Sequence, residues 1–155
     1  MAKIIAMSEV LKDPERRKTA IDDAAKLIDD EVSRKKGMTG MLLKGGYSVV
    51  RRLEGGRMIH NVLEVLLDEF MESIEPLHKP FRDAESENPF AETLQANEDQ
   101  AVQALLSVTD RRAEKSKHGL LKKTYTKLRP SGEEHVKQAL PGLGGLIDKH
   151  TKSSC

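Results

Sequence analysis

The chain has 155 residues, with 26 Lys and Arg against 25 Asp and Glu, for a net charge of +1. Such a length buries a core without a metal or disulfide staple, and so small a net charge excludes capture of polyanions by bulk charge. Hydrophobic residues make up 37% and aromatic residues 3%, and the apolar positions are patterned strongly enough to exclude wholesale disorder.

The period is helical nearly throughout. Asp13-Pro14 is a start signal, with Asp as cap and Pro in the first turn. Ile21, Ala24, Ala25, Ile28 and Val32 then share one face, and Gly37 is expected to end that helix. Thr39 is expected to cap the next helix, whose stripe is Met41, Leu42, Val49, Val50 and Leu53. Gly45-Gly46 interrupts this stripe, and close packing on a neighbour would offset its poor helix propensity. Gly55-Gly56 breaks the chain. A third helix from about Arg57 to Glu75 carries Ile59, Val62, Leu63, Leu66, Phe70 and Ile74, widened by Leu67 and Met71, and should be the most buried. Pro76 and Pro80 are expected to kink or end it, and the acidic stretch that follows, about residues 79–88, reads as a linker.

Asn88-Pro89 opens a short helix with Phe90 and Leu94. Asn97 caps the next, with Glu98 and Asp99 where the helix dipole favours them and Ala101, Val102, Leu105, Leu106 and Thr109 on its face. A further helix holds Leu120, Leu121, Thr124, Tyr125 and Leu128 up to Pro130. Ser131 and Glu134 have the spacing of a capping box. The last helix uses Val136, Leu140, Leu143 and Ile147, and Pro141 should kink or divide it. No segment alternates with period two. The expected fold is all-α, a compact bundle of about seven or eight helices in a single domain over residues 1–155.

A shift of 78 residues places Leu42-Leu43-Lys44 on Leu120-Leu121-Lys122, Tyr47-Ser48 on Tyr125-Thr126, and Val50-Arg51 on Leu128-Arg129. Both tyrosines of the chain fall in this set. The spacing points to two related halves, about residues 8–78 and 89–150, from an internal duplication.

Three runs of residues also resemble a known family: Thr39-Gly40 with Lys44-Gly45-Gly46-Tyr47, Ala104 to Glu114, and Ala139-Leu140-Pro141-Gly142-Leu143-Gly144. The family is an uncharacterised one of conserved hypothetical proteins found largely in actinobacteria. The resemblance implies an all-helical, soluble domain. It implies no activity and offers no catalytic residues to carry over.

The chemistry-bearing residues form no catalytic constellation. His60 and Glu64 share a helix face, and Glu75 and His78 have the spacing of di-iron helices. A di-iron bundle needs a second such pair, and none is present, so no metal or other cofactor is expected. No phosphate loop, nucleophile elbow or zincin motif occurs. Cys155 is the single cysteine, so no internal disulfide can form. With no apolar run near a membrane span and an apolar start too short for a signal peptide, a soluble, cytoplasmic protein is expected.

Charge distribution says more. Residues 111–129 hold eight cations against Glu114, and residues 34–57 hold seven against Glu54. Lys44, Arg51, Arg52, Arg111, Arg112, Lys122, Lys123, Lys127 and Arg129 are therefore the candidate residues for an anionic partner. The simplest reading is a solvated face. The functional reading is a non-catalytic binding or scaffold protein working through protein–protein contacts. Its alternative is nucleic acid or anionic membrane lipid held by two basic helices. Met38, Met41, Met58 and Met71 suggest an apolar surface or, more simply, core filler.

Overall fold

The computed structural model describes residues 3–152, so Cys155 lies outside the described residues. Among these, eight α-helices follow in order: α1 Met7–Lys12, α2 Pro14–Ser33, α3 Gly37–Gly56, α4 Met58–Asp83, α5 Phe90–Ala96, α6 Glu98–Lys115, α7 Gly119–Leu128 and α8 Gly132–Thr151. A 3-10 turn, Arg129–Ser131, joins the last two. The described residues contain no strand beyond one isolated bridge between Ile4 and Lys152, beside which the Ile5 amide donates to the Thr151 carbonyl at 2.9 Å. The fold is the expected all-α bundle, and no described helix is long and apolar enough to cross a membrane.

The core is built by α1, α2, α4, α5, α6 and α8. Phe90 and Leu94 of α5, Val10 of α1 and Ile147 of α8 are wholly buried. The α5 helix lies so close on α8 that a Cβ at Gly144 would stand 2.6 Å from the Ala91 backbone. Around Phe90 the rings of Phe81 (5.0 Å) and His78 (4.7 Å) pack edge-on. α2 rests on α4 and α8, and α6 rests on the same two helices. α3 packs on α4 and on α7 at the edge of the bundle.

Several helix ends form as the residues dictate. The Asp13 carboxylate accepts from the Arg16 amide at 2.9 Å, closing one of the free N–H groups of α2. In the last turn assigned to α3 the helix breaks: Glu54, Gly55 and Gly56 take positive φ (52°, 65° and 83°) and turn the chain into α4. α4 carries the longest row of buried residues, from Met58 to Phe81.

Other ends depart from expectation. Gly37, at φ 78°, opens α3 instead of closing α2, which stops at Ser33. Lys36, not Thr39, holds the cap position of α3, and the Thr39 side chain lies outside what is described. The Asn97 amide turns back to the Thr93 carbonyl at 2.9 Å and leaves α6 without a side-chain cap. The Ser131 hydroxyl donates to the Leu128 carbonyl at 3.1 Å, so no capping box forms.

The prolines are the largest departure. α4 runs through Pro76 and Pro80 to Asp83, into the stretch read as a linker, and α8 runs unbroken through Pro141. All three prolines are exposed. Helices curve with their carbonyls tilted out toward water on that side, so a bond lost there is replaced by solvent. The buried neighbours Ile74, Leu77, His78 and Phe81 hold the helix on course. Pro76→Ala restores the missing amide and should stabilise the fold by about 1–2 kcal/mol, the interior-proline penalty less the entropy proline removes from the unfolded chain. A urea midpoint that moves down instead of up would contradict this.

Candidate docking face

The basic segments do not form two uniform helices. Residues 111–115 end α6, residues 116–118 connect, and Lys122, Lys123 and Lys127 lie on α7, with Arg129 in the 3-10 turn. In the first half, Arg34, Lys35 and Lys36 fall at the end of α2 and the connection after it, and Lys44, Arg51 and Arg52 lie on α3. α3 and α7 pack directly together. Leu128 sits against Gly46, where a Cβ would come within 3.2 Å, while Leu121 shares a groove with Glu54 and Met58. The two helices therefore run antiparallel. The tight approach at Gly46 is the close packing expected of the Gly45-Gly46 interruption.

Three of the nine candidate cations are already engaged. Arg129 holds Asp110 through Nε at 2.8 Å and Nη2 at 3.2 Å. Arg112 holds Glu69 through Nε at 2.9 Å and Nη2 at 3.1 Å. Arg51 lies 3.9 Å from Asp29. These neighbours hold the Asp110 and Glu69 carboxyls below the usual range, chiefly through the guanidinium hydrogen bonds. Lys44, Arg52, Arg111, Lys122, Lys123 and Lys127 are exposed and join none of the ion pairs found among the described residues.

Both tyrosines are tied down beside these pairs. The Tyr47 hydroxyl donates to Asp29, and the Tyr125 hydroxyl donates to Asp110 and lies 2.7 Å from Thr109 Oγ1. Burial and the adjacent carboxylate push the Tyr125 phenol up to about 12, and Tyr47 moves the same way. Each aspartate thus receives a tyrosine and, four residues on, an arginine. Both hydroxyls are engaged, while the rings stay half-buried.

The apolar stripe of α3 faces outward. At 100° per residue, Met38, Met41, Leu42, Gly45, Val49 and Arg52 share one side, and Leu43, Tyr47 and Val50 the other. Met38 is 88% exposed and Met41 73%, with Leu42, Val49 and Leu120 each above 40%. Of the stripe read as core, only Val50 is buried, and α7 buries no residue at all. The methionines divide the same way: Met58 and Met71 are core, Met38 and Met41 surface. Gly45 has nothing within 4 Å of its Cβ position, so no packing inside the chain explains a glycine there.

Of the histidines, His78 is buried between Phe81 and Phe90, with Nδ1 2.7 Å from Arg82 and 4.0 Å from Glu75. His60 lies 3.4 Å from Asp22. Among the described residues no group of three or more His, Cys, Asp or Glu is placed to hold a metal ion.

No curated protein and no solved structure matches the chain. The model of a family of unknown function, DUF6918, matches residues 7–151, nearly the whole helical bundle, and the chain belongs to that family.

Proposed function

We propose that this is a non-catalytic binding protein whose working surface is the α3–α7 face, and that its partner is a protein presenting an acidic helix with an apolar stripe. The observation that carries the reading is the outward face of α3: exposed Met38, Met41, Leu42 and Val49, with Lys44 and Arg52 beside them and no acid on α3 before Glu54. An apolar centre with a charged rim is the usual anatomy of a protein interface. Lys122, Lys123 and Lys127 extend the rim on α7, which carries no acid. Gly45 leaves a low point where a partner helix can approach closely, which supports a role for a residue that otherwise costs α3 about 1 kcal/mol.

The two halves fit an internal duplication. Exchanging them maps the packing of α2 on α4 and α8 onto that of α6 on α8 and α4. Gly46 touches Thr124, its own counterpart under the 78-residue shift, as expected at a two-fold axis. The Tyr47–Arg51 and Tyr125–Arg129 pairs each embrace an aspartate.

The test is capture from native lysate, followed by reconstitution with the purified partner. Reversing Arg52, Lys122, Lys123 and Lys127 to Glu should weaken binding roughly ten-fold at low salt and far less at high salt, where screening removes the effect. The double change Met41→Glu, Leu42→Glu should cost roughly thirty-fold or more at any salt, as loss of a central apolar anchor does. Circular dichroism should show both variants folded, since these residues are exposed. Anionic vesicles form a parallel arm: binding to vesicles alone, lost in both variants, would give the lipid reading in place of the protein one. Binding indifferent to both variants would sink the face as the working surface.

A further inference from the structure

Between the halves lies a cavity of about 360 Å³, walled almost entirely by carbon. Leu27 and Ile28 of α2, Leu63 of α4, Leu105 of α6 and Leu140 and Leu143 of α8 are among its lining, so both halves build it. It has more than twice the roughly 150 Å³ of an apolar cavity that takes up benzene, and so suits an apolar body of about a dozen heavy atoms. A volume of this size falls within the range of ligand sites and is larger than the voids that packing normally leaves.

A few of the lining residues carry polar groups set back behind this carbon wall. His135, in the first turns of α8, is one of them, and both ring nitrogens are buried without a hydrogen-bond partner. A buried polar group is normally satisfied, so both ring nitrogens are open to a hydrogen-bonding ligand. Arg129 also lines the cavity, against Gly132, one turn of α8 before His135. It spends Nε and Nη2 on Asp110, and its Nη1 lies 3.7 Å from the Cβ position of Gly132. The N-terminus of α8 adds its own positive potential there. Tyr125 and Thr109 line the cavity too, but their hydroxyls are already bonded to each other, and that of Tyr125 to Asp110 as well.

We propose that the cavity binds a medium-chain monocarboxylate, its alkyl chain among the leucines and its carboxylate at His135 and Arg129. The neutral imidazole donates one N–H to the carboxylate, and Arg129 Nη1 supplies the charge. This site is separate from the α3–α7 face and stands or falls without it.

Decanoate is the probe, with decanol as its uncharged counterpart, titrated calorimetrically into the full chain. Decanoate should bind saturably, one per chain, and about ten-fold more tightly than decanol. His135→Leu should bring decanoate down to the affinity of decanol and leave decanol little changed. Ala139→Phe, which fills the cavity wall, should abolish both. Methyl resonances of Leu63, Leu105 and Leu140 in the unaltered protein should shift on titration, which locates the ligand even if Ala139→Phe fails to fold. Absence of saturable decanoate binding, shifts confined to surface methyls, or full affinity retained in His135→Leu would each overturn the proposal.

Discussion

Gly144→Val is expected to destabilise the fold by about 4 kcal/mol, while Gly145→Ala, one residue on, is expected to stabilise it by about 0.5–1 kcal/mol. The two glycines sit in the same turn of α8 and differ only in what faces them. A Cβ at Gly144 would stand 2.6 Å from Ala91 N and Cα and 2.8 Å from its Cβ, whereas Gly145 has nothing within 4 Å. Backbone cannot rotate away as a side-chain tip can, so α5 must lift from α8. That movement uncovers Phe90 and Leu94, both wholly buried, and loss of their packing adds to the overpacking strain. At Gly145 the added methyl meets open space and simply removes the entropic cost of glycine in a helix. Urea unfolding of the two variants decides the matter: equal destabilisation, or none at Gly144, would mean that α5 does not rest on α8 as described.

The second large effect is acid sensitivity centred on His78. Its ring is 3% exposed. Nδ1 lies 2.7 Å from Arg82 Nη1, and Nε2 is buried without a partner. Burial first, and then the Arg82 charge, lowers its pKa from 6.5 to about 4, against the weaker pull of Glu75 and Asp148, with Lys152 acting in the same direction as Arg82. The folded state therefore holds fewer protons than the unfolded chain between these two values. Stability is complete above about 6.5 and falls as the pH drops toward 4. Between pH 7 and pH 5 the loss from this one ring should be about 2 kcal/mol. Burial moves His135 in the same direction. The lowered carboxylates Asp23, Asp83, Asp110 and Glu69 act at lower pH, as they protonate. His78→Phe keeps a ring against Phe81 and Phe90 and should remove most of the loss between pH 7 and 5. A variant as acid-sensitive as the unaltered protein would place the titrating group elsewhere.

Much of this architecture can be read from the residues. Asp13-Pro14 carries its own start signal, and the row from Leu63 to Ile74 can bury only one way. The prolines mislead because local rules describe an isolated helix. Whether Pro76, Pro80 and Pro141 break one depends on which side meets water, and the buried residues on the other side settle that. The capping positions mislead for a related reason: Asn97 and Ser131 found carbonyl partners in the preceding turn.

The proposed α3–α7 face is half legible in the sequence. Periodicity groups Met41, Leu42 and Val49, which do share a side, with Val50, which lies on the other and is buried, and with Leu53, where the helix has already broken. It does not tell whether the side of Met41 meets the rest of the chain, and here it meets solvent. Charge counting found the cations but not their partners. Arg51 and Arg129 correspond under the 78-residue shift, yet Asp29 and Asp110 do not, so that shift does not lead to those contacts. The apolar cavity has no local signal either, since its leucines look like any core and the approach of His135 and Arg129 to it depends on how α7 and α8 pack.

The most direct measurement is the amide hydrogen-exchange footprint of the bound partner on the intact chain. A partner seated on the α3–α7 face should slow exchange across residues 38–52 and along α7, with α1, α5 and the core helices unchanged. Protection confined to other elements, with α3 exchanging as it does in the free protein, would contradict the account.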